Sequence, residues 1–295
     1  MRQRFARGSA CGHVSDEGLA AYAGQFAPDV SPYWQKGRIP PSPQYPDVAF
    51  RRWFSSDSRE NYLARGNRDF SEESIGYEFN SLGYRGPELE RADGEAAVLF
   101  LGDSFTAGIG LPWEGVWTTL LVERLALLWG KPVRQFNLAW PATSCDYPPM
   151  MVHQTVELLN PQAVFVLWTL RARITWFPDA TRFVRLMPHY YFDNELHRKS
   201  HEAYLRLATP SNAFFNFVRN VLMVSERLAR LDIPFYWGTV EPMSVDLLRA
   251  YLPIDGFIGT LQPCDAARDN EHPGLRTHAH FADLAATAAA RGRRP

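Results

Sequence analysis

The chain has few cysteines, no long apolar run and no excess of either charge. Its three cysteines, Cys11, Cys145 and Cys264, are widely spaced and form neither a metal-binding pair nor a disulfide framework. No apolar stretch approaches the roughly 20 residues that cross a bilayer, and the basic N-terminus is not followed by the apolar core of a secretory signal. We therefore expect a cytoplasmic protein with free thiols and no membrane anchor.

The charges nearly cancel, with 31 Lys and Arg against 32 Asp and Glu and a net charge of −1 at pH 7. A chain with almost no net charge has no long-range electrostatic attraction for nucleic acid or an anionic membrane, so neither is expected as a partner. Apolar residues make up 46% of the chain and charged residues 21%. This composition is ordinary for a globular protein and excludes a disordered chain or a fibre.

The first 75 residues differ from the rest because they contain six prolines and little regular period. The segment 39–48, IPPSPQYPDV, cannot be helical, since proline removes a donor and fixes φ. A short helix is predicted only around Asp16–Gln25. Aromatic residues that would need cover are also present: Tyr33, Trp34, Phe50, Trp53 and Phe54. The pattern indicates an irregular N-terminal arm, residues 1–75, packed on a main domain of residues 76–295.

The main domain alternates predicted strands with predicted helices. Apolar runs typical of buried strands occupy 96–102, 133–140, 163–170 and 233–240. Helical spacing predicts helices over 114–129, 146–160, 214–228, 243–251 and 274–290, with Ser211 as a candidate cap of the third. Such alternation indicates an α/β fold with a parallel sheet, whose sites lie at the carboxyl ends of the strands.

Two short motifs follow strands at that edge. Gly102-Asp103-Ser104 places a hydroxyl at a strand-to-helix junction, where backbone N–H groups can stabilise an oxyanion. Asp269 precedes His272 by three residues, so its carboxylate can accept the ring Nδ1–H and leave Nε2 as a base. Each motif has an ordinary alternative: the triplet is a common capping turn, and Asp-x-x-His is a common polar loop.

Three segments together resemble the SGNH (GDSL-type) hydrolase family: VLFLGDSFTAGIGLPWEGVWTTLLVERL, DNEHPGLRTHAHFADLAA and YEFNSLGYRGPE at 77–88. The resemblance extends in order over about residues 77–290. It implies a three-layer α/β/α domain with a flavodoxin-like parallel sheet. It also implies Ser104 as nucleophile, His272 as general base and Asp269 as the carboxylate that orients it.

The middle of the chain departs from the family pattern. Alanine stands at 139 and 142, where that pattern has glycine, and no asparagine stands in 167–173. Alanine keeps its N–H, so Ala142 is expected to join Ser104 in the oxyanion hole if its φ is negative. The asparagine donor is lost or replaced.

Arg171 and Arg173 follow the third predicted strand. They either supply N–H donors to the oxyanion, bind an anionic group of the substrate, or form salt bridges to the arm or a neighbouring loop. With Asp103 and Thr143, they are the candidate substrate-binding residues. The long connection 171–210 is either a lid or substrate wall, or a packed insertion.

These features predict a serine hydrolase that cleaves an ester or related acyl bond, in a small-molecule or carrier-linked substrate, through an acyl-enzyme on Ser104. Two alternatives remain open: an acyltransferase using the same residues, and a binding or scaffold protein of low activity. His278 and His280 point apart on the last predicted helix, and neither a metal nor a cofactor is expected.

Overall fold

A computed structural model of the chain describes residues 36–42, 48–177, 184–188 and 195–292. The helix expected around Asp16–Gln25, and the aromatic residues Tyr33 and Trp34, lie outside these residues. The strands are β1 (Phe50–Arg51), β2 (Tyr77–Glu78), β3 (Ala96–Leu101), β4 (Val133–Asn137), β5 (Ala163–Trp168), β6 (Ile174–Trp176), β7 (Val184–Leu186), β8 (Phe235–Thr239) and β9 (Phe257–Thr260). The helices are α1 (Arg59–Arg65), α2 (Ser104–Ala107), α3 (Trp117–Trp129), α4 (Tyr147–Leu159), α5 (Glu195–Leu207), α6 (Pro210–Arg230), α7 (Val245–Arg249) and α8 (Leu275–Gly292).

Five parallel strands form the central sheet, in the order β4-β3-β5-β8-β9. This is the strand order of flavodoxin-like sheets, in which the chain winds outward in both directions from its first strand. The predicted parallel sheet is therefore confirmed. Strand β9 was not predicted from the sequence.

Helices cover both faces of the sheet because consecutive residues of each strand point to opposite sides. Leu99 of β3 lies in one buried cluster with residues of α4 and α6, and Phe100 lies in another with residues of α3 and α8. Every residue of β3 and β5 is buried. The arrangement confirms the three-layer α/β/α fold.

Two smaller expectations are wrong. Helix α6 begins at Pro210, and its cap is the Thr209 side chain, which accepts a hydrogen bond from the Asn212 N–H at 3.1 Å. Ser211 therefore lies inside the helix. Phe50 is 52% exposed, so the protein does not cover every aromatic residue of the arm.

The segment before β3 packs closely on the main domain. Phe54 and Ile75 share a buried cluster with Tyr77, Ala107 and Ile109. This cluster spans the expected boundary at residue 75, and the division into two domains stays a prediction. No helix in the described part of the chain is long and apolar enough to cross a membrane.

Candidate active site

Ser104 is the first residue of the short helix α2, directly after β3. The turn between them needs glycine at 102, since a Cβ there would lie 2.2 Å from the Thr106 hydroxyl oxygen and 2.9 Å from the Leu167 carbonyl oxygen. Asp103 caps the helix by accepting a hydrogen bond from the Phe105 N–H at 3.0 Å. The sequence therefore places the Ser104 hydroxyl at the carboxyl edge of the sheet, where α/β proteins bind ligands.

The Asp269 carboxylate is buried and fixes the orientation of His272. Its Oδ2 lies 2.6 Å from His272 Nδ1, and its Oδ1 accepts the backbone N–H groups of Glu271 and His272 at 3.1 and 3.0 Å. A carboxylate only accepts, so Nδ1 carries the proton and Nε2 is left as the base. Burial raises the pKa of Asp269, but hydrogen bonding to His272 and Ser56 and the charge of His272 lower it to about 2. The carboxyl group is ionised at neutral pH.

The structure brings the two motifs together at one edge of the sheet. The Phe105 ring, next to Ser104, packs edge-on against the His272 ring with 5.4 Å between centroids. The Arg268 N–H, beside Asp269, donates to the Gly110 carbonyl at 2.9 Å. Among the described hydrogen bonds, none joins the Ser104 hydroxyl to the His272 ring. Such bonds are often long before substrate binds.

Two backbone N–H groups are candidates for the oxyanion hole. In the described residues, neither the Ser104 N–H nor the Ala142 N–H donates to a protein acceptor. Ala142 has φ of 59°, so the condition of a negative φ is not met. A turn closed by the Thr143 N–H and the Trp140 carbonyl, 3.2 Å apart, puts Ala142 at its third position, where positive φ is typical of glycine. Alanine here keeps a glycine-like conformation and its N–H donor.

Arg173 lies against the residue that precedes the nucleophile. Its Nη1 donates to Asp103 Oδ2 at 3.0 Å and to the Thr169 hydroxyl at 2.9 Å, and that hydroxyl also donates to Asp103. Asp103 is buried, and both of its carboxylate oxygens bind protein donors. This placement favours a structural role for Asp103 over contact with substrate.

The contacts of Arg171, Thr143 and Cys145 give less support for a role in the site. Arg171 donates from its Nε and its backbone N to Glu241, at 2.9 and 2.8 Å, which is the salt bridge to a neighbouring loop expected as the alternative. Thr143 is buried, and its hydroxyl has no partner among the described residues. Burial raises the pKa of the Cys145 thiol well above its usual value, so this thiol is not a competing nucleophile.

Sequence reasoning missed a side chain that touches both Asp269 and His272. The Ser56 hydroxyl donates to Asp269 Oδ2 at 2.8 Å and lies 3.4 Å from His272 Nδ1. Its neighbour Asp57 forms a fully buried ion pair with Arg268, at 2.7 and 2.9 Å. No local pattern marks either contact, because the partners are more than 200 positions apart in the sequence.

Arg85 is a second residue whose role the sequence did not show. Its guanidinium donates to the carbonyl oxygens of Ala107, the last residue of α2, and of Gly108 and Leu111, which follow that helix. It also lies 4.4 Å from the centroid of the Tyr77 ring. Burial lowers the pKa of Arg85 to about 10, so the group remains charged. Arg85 therefore fixes the end of the segment that carries Ser104.

The histidines of α8 are not arranged around a ligand. His278 is buried, and its Nδ1 accepts the Trp117 N–H at 3.1 Å, at the start of α3. Burial lowers the pKa of His278 to about 3, so its ring is neutral. Within the described ranges, no three His, Cys, Asp or Glu side chains are grouped as metal ligands would be.

No protein-family model matches the chain, and no curated protein is detectably similar to it. Several solved structures that match are esterases or lipases. They include a lipase from a goat rumen metagenome, 11% identical with a TM-score of 0.42, over 65% of this chain and 97% of that one. Another is the esterase EstA from Pseudoalteromonas sp., 11% identical with a TM-score of 0.38, over 65% of this chain and 96% of that one. A third is AlinE4, an esterase of the SGNH-hydrolase family, 16% identical with a TM-score of 0.32, over 55% of this chain and 67% of that one.

The third of these belongs to the family that the sequence motifs resemble. At identities and TM-scores this low, the roles of individual residues in those structures are not assigned to residues of this chain. Function must therefore be argued from this chain's own residues.

Proposed function

We propose that the chain is a serine hydrolase of the SGNH type, which cleaves an ester or related acyl bond through an acyl-enzyme on Ser104. The observation that carries the proposal is the pairing of buried Asp269 with partly exposed His272, 2.6 Å apart, beside the strand-to-helix turn of Ser104. A base with a fixed tautomer next to a serine at a helix start is the arrangement that acyl transfer requires.

The proposed reaction uses these groups in turn. His272 Nε2 takes the proton of the Ser104 hydroxyl as the Oγ attacks the carbonyl carbon. The backbone N–H groups of Ser104 and Ala142 donate to the oxyanion. The protonated ring then gives its proton to the leaving oxygen, and water repeats the two steps on the acyl-enzyme. Asp269 stays ionised and stabilises the imidazolium.

The proposed oxyanion hole has backbone donors and no asparagine. Removing one such donor typically costs roughly 2.7–4 kcal/mol of transition-state stabilisation. We therefore expect slow turnover of small neutral esters and a faster reaction with a substrate that makes further contacts. A small-molecule or carrier-linked acyl substrate fits this proposal.

A binding or scaffold protein of low activity is the second candidate. It is favoured by the missing asparagine and by the lack of a hydrogen bond between Ser104 and His272 among those described. Hydrolase and scaffold differ in the reactivity of Ser104, because only a hydrolase activates the hydroxyl.

Labelling by a serine-directed phosphonate tests the proposed function. Wild-type protein should bind one phosphonate on Ser104, and Ser104→Ala should lose both labelling and turnover. Ser74→Ala is a matched control, since its exposed hydroxyl donates only to the Ser71 carbonyl at 2.8 Å. A wild-type protein that resists labelling, with its fold intact by circular dichroism, would favour the scaffold.

A further inference from the structure

Ser56 lies in a tight turn whose two flanking residues are fixed by the rest of the protein. Phe54 and Asp57 form two backbone hydrogen bonds, at 2.9 and 3.2 Å, with Ser55 and Ser56 between them. Ser55 has φ of 60° and is exposed. Phe54 is buried in an apolar cluster, and Asp57 is buried against Arg268. The turn therefore has little freedom to move.

The turn aims the Ser56 hydroxyl at one particular atom. Asp269 Oδ2 accepts from Ser56 Oγ at 2.8 Å and also accepts from His272 Nδ1 at 2.6 Å. The Asp269 carboxylate is fully buried, so its hydrogen bonds come from protein donors. Its other oxygen is already bound by two backbone N–H groups.

The buried ion pair sets this contact. Ser56 precedes Asp57, and Asp269 follows Arg268, so pairing of Asp57 with Arg268 brings their two neighbours face to face. The Arg268 guanidinium also donates to the carbonyl oxygens of Arg52 and Glu72, at 2.9 and 3.0 Å. Neither residue of the pair is exposed to solvent.

We propose that Ser56 is a positioning residue of the proposed hydrolase, acting on His272 through Asp269 Oδ2. This inference rests on the proposed function. The Ser56 hydroxyl donates to the oxygen that accepts the Nδ1 proton, and so fixes the direction in which the carboxylate presents that oxygen. The imidazole is then aligned by a donor from a distant part of the chain as well as by its own loop.

Kinetics of three variants test the inference. Ser56→Ala should lower kcat about tenfold or more, since a hydrogen bond to a charged group contributes roughly that factor. KM should stay unchanged, because the proposed role of Ser56 is exerted through Asp269 and not on substrate. Ser56→Thr keeps the hydroxyl and should recover most of kcat. Ser55→Ala is the matched control, with no described contact to Asp269 or His272, and should behave as wild type.

A wild-type kcat in Ser56→Ala would overturn the inference. So would a Ser55→Ala variant that loses as much kcat as Ser56→Ala, since the effect would then belong to the turn and not to the hydroxyl.

A second measurement needs no turnover. The downfield proton resonance of His272 Nδ1–H, assigned by its loss in His272→Gln, should shift in Ser56→Ala and not in Ser55→Ala. If wild-type protein does not react with the phosphonate, the proposed function fails, while this resonance still reports whether Ser56 acts on the pair. If Ser104 is labelled and the resonance is the same in Ser56→Ala, the inference fails and the proposed function stands.

Discussion

The two sides of the candidate site are supported in different ways. Ser104 lies on a turn supported by near neighbours, since the N–H groups of Thr106 and Ala107 both donate to the Asp103 carbonyl. His272 lies on a loop supported from outside, by the segment from Arg52 to Glu72. The Ser104 turn combines local hydrogen bonds with contacts from Arg85 and Arg173, at most 70 positions away. The His272 loop is held by partners 196 to 216 positions away.

The external support of the base is polar and buried. The Arg268 guanidinium lies 4.0 Å from the centroid of the Trp53 ring and pairs with Asp57. Asn67 adds a backbone hydrogen bond to the Arg268 carbonyl and a side-chain hydrogen bond to the Ala266 carbonyl, at 2.9 and 2.8 Å. Such a network fixes geometry only when every member is present.

The largest expected effect on the base side comes from the pair itself. Asp269→Asn should lower kcat by roughly 10⁴-fold, because an amide at this place favours the wrong imidazole tautomer. His272→Ala should lose at least as much. Steady-state kinetics with a short-chain ester provide the measurement. An Asp269→Asn variant that keeps most of its kcat would show that His272 acts without its carboxylate.

The next effect tests whether the base side depends on its external support. Arg268→Met leaves the Asp57 carboxylate buried without its partner and should lower the free energy of unfolding by about 3–5 kcal/mol. Arg65→Met is the matched control, since the Arg65–Glu271 pair joins the same two segments at the surface. That variant should stay within about 1 kcal/mol of wild type.

Urea unfolding measures both variants. Adding Asp57→Asn to Arg268→Met should recover part of the loss, because no unpaired charge is then buried. Equal stabilities of Arg268→Met and Arg65→Met would show that the His272 loop does not depend on the buried ion pair.

The smallest effect concerns the nucleophile side. Arg173→Met removes a charged donor from Asp103 and should lower kcat/KM on a neutral ester roughly tenfold. Arg171→Met breaks only the partly exposed pair with Glu241, and kcat/KM on that ester should be close to wild type. Kinetics with an anionic ester separate the roles further. A selective loss there in Arg171→Met would restore Arg171 as a substrate-binding residue.

Much of the fold could be predicted because the buried strands are continuous apolar runs. AVFVLW at 163–168 and AAVLFL at 96–101 are buried throughout. A continuous apolar run of this length is typical of a strand that is covered on both faces. Strand β9, FIGT, was missed because it is short, contains Gly259 and lies at the edge of the sheet. The composition of a segment does not indicate a strand that forms mainly because it pairs with the neighbouring strand of the sheet.

The site could be predicted only in part, for a related reason. Ser104, Asp269 and His272 stand in short motifs, so local spacing indicated them. Ser56 stands in the polar stretch SSDS, and nothing local distinguishes its hydroxyl from the others. The turn conformation of Ala142 was missed because alanine seldom adopts positive φ.

The distance in sequence between Asp57 and Arg268 also determines the order in which the two sides of the site are synthesised. The two residues are 211 positions apart, so the ribosome produces the turn beside Ser56 long before the loop that receives it. When α4 has just left the ribosome, the nascent chain already contains Ser104 and the strand before it, but not Asp269 or His272. Ser104 is made first, and the loop that carries His272 is fixed only after residues 268–272 have been added.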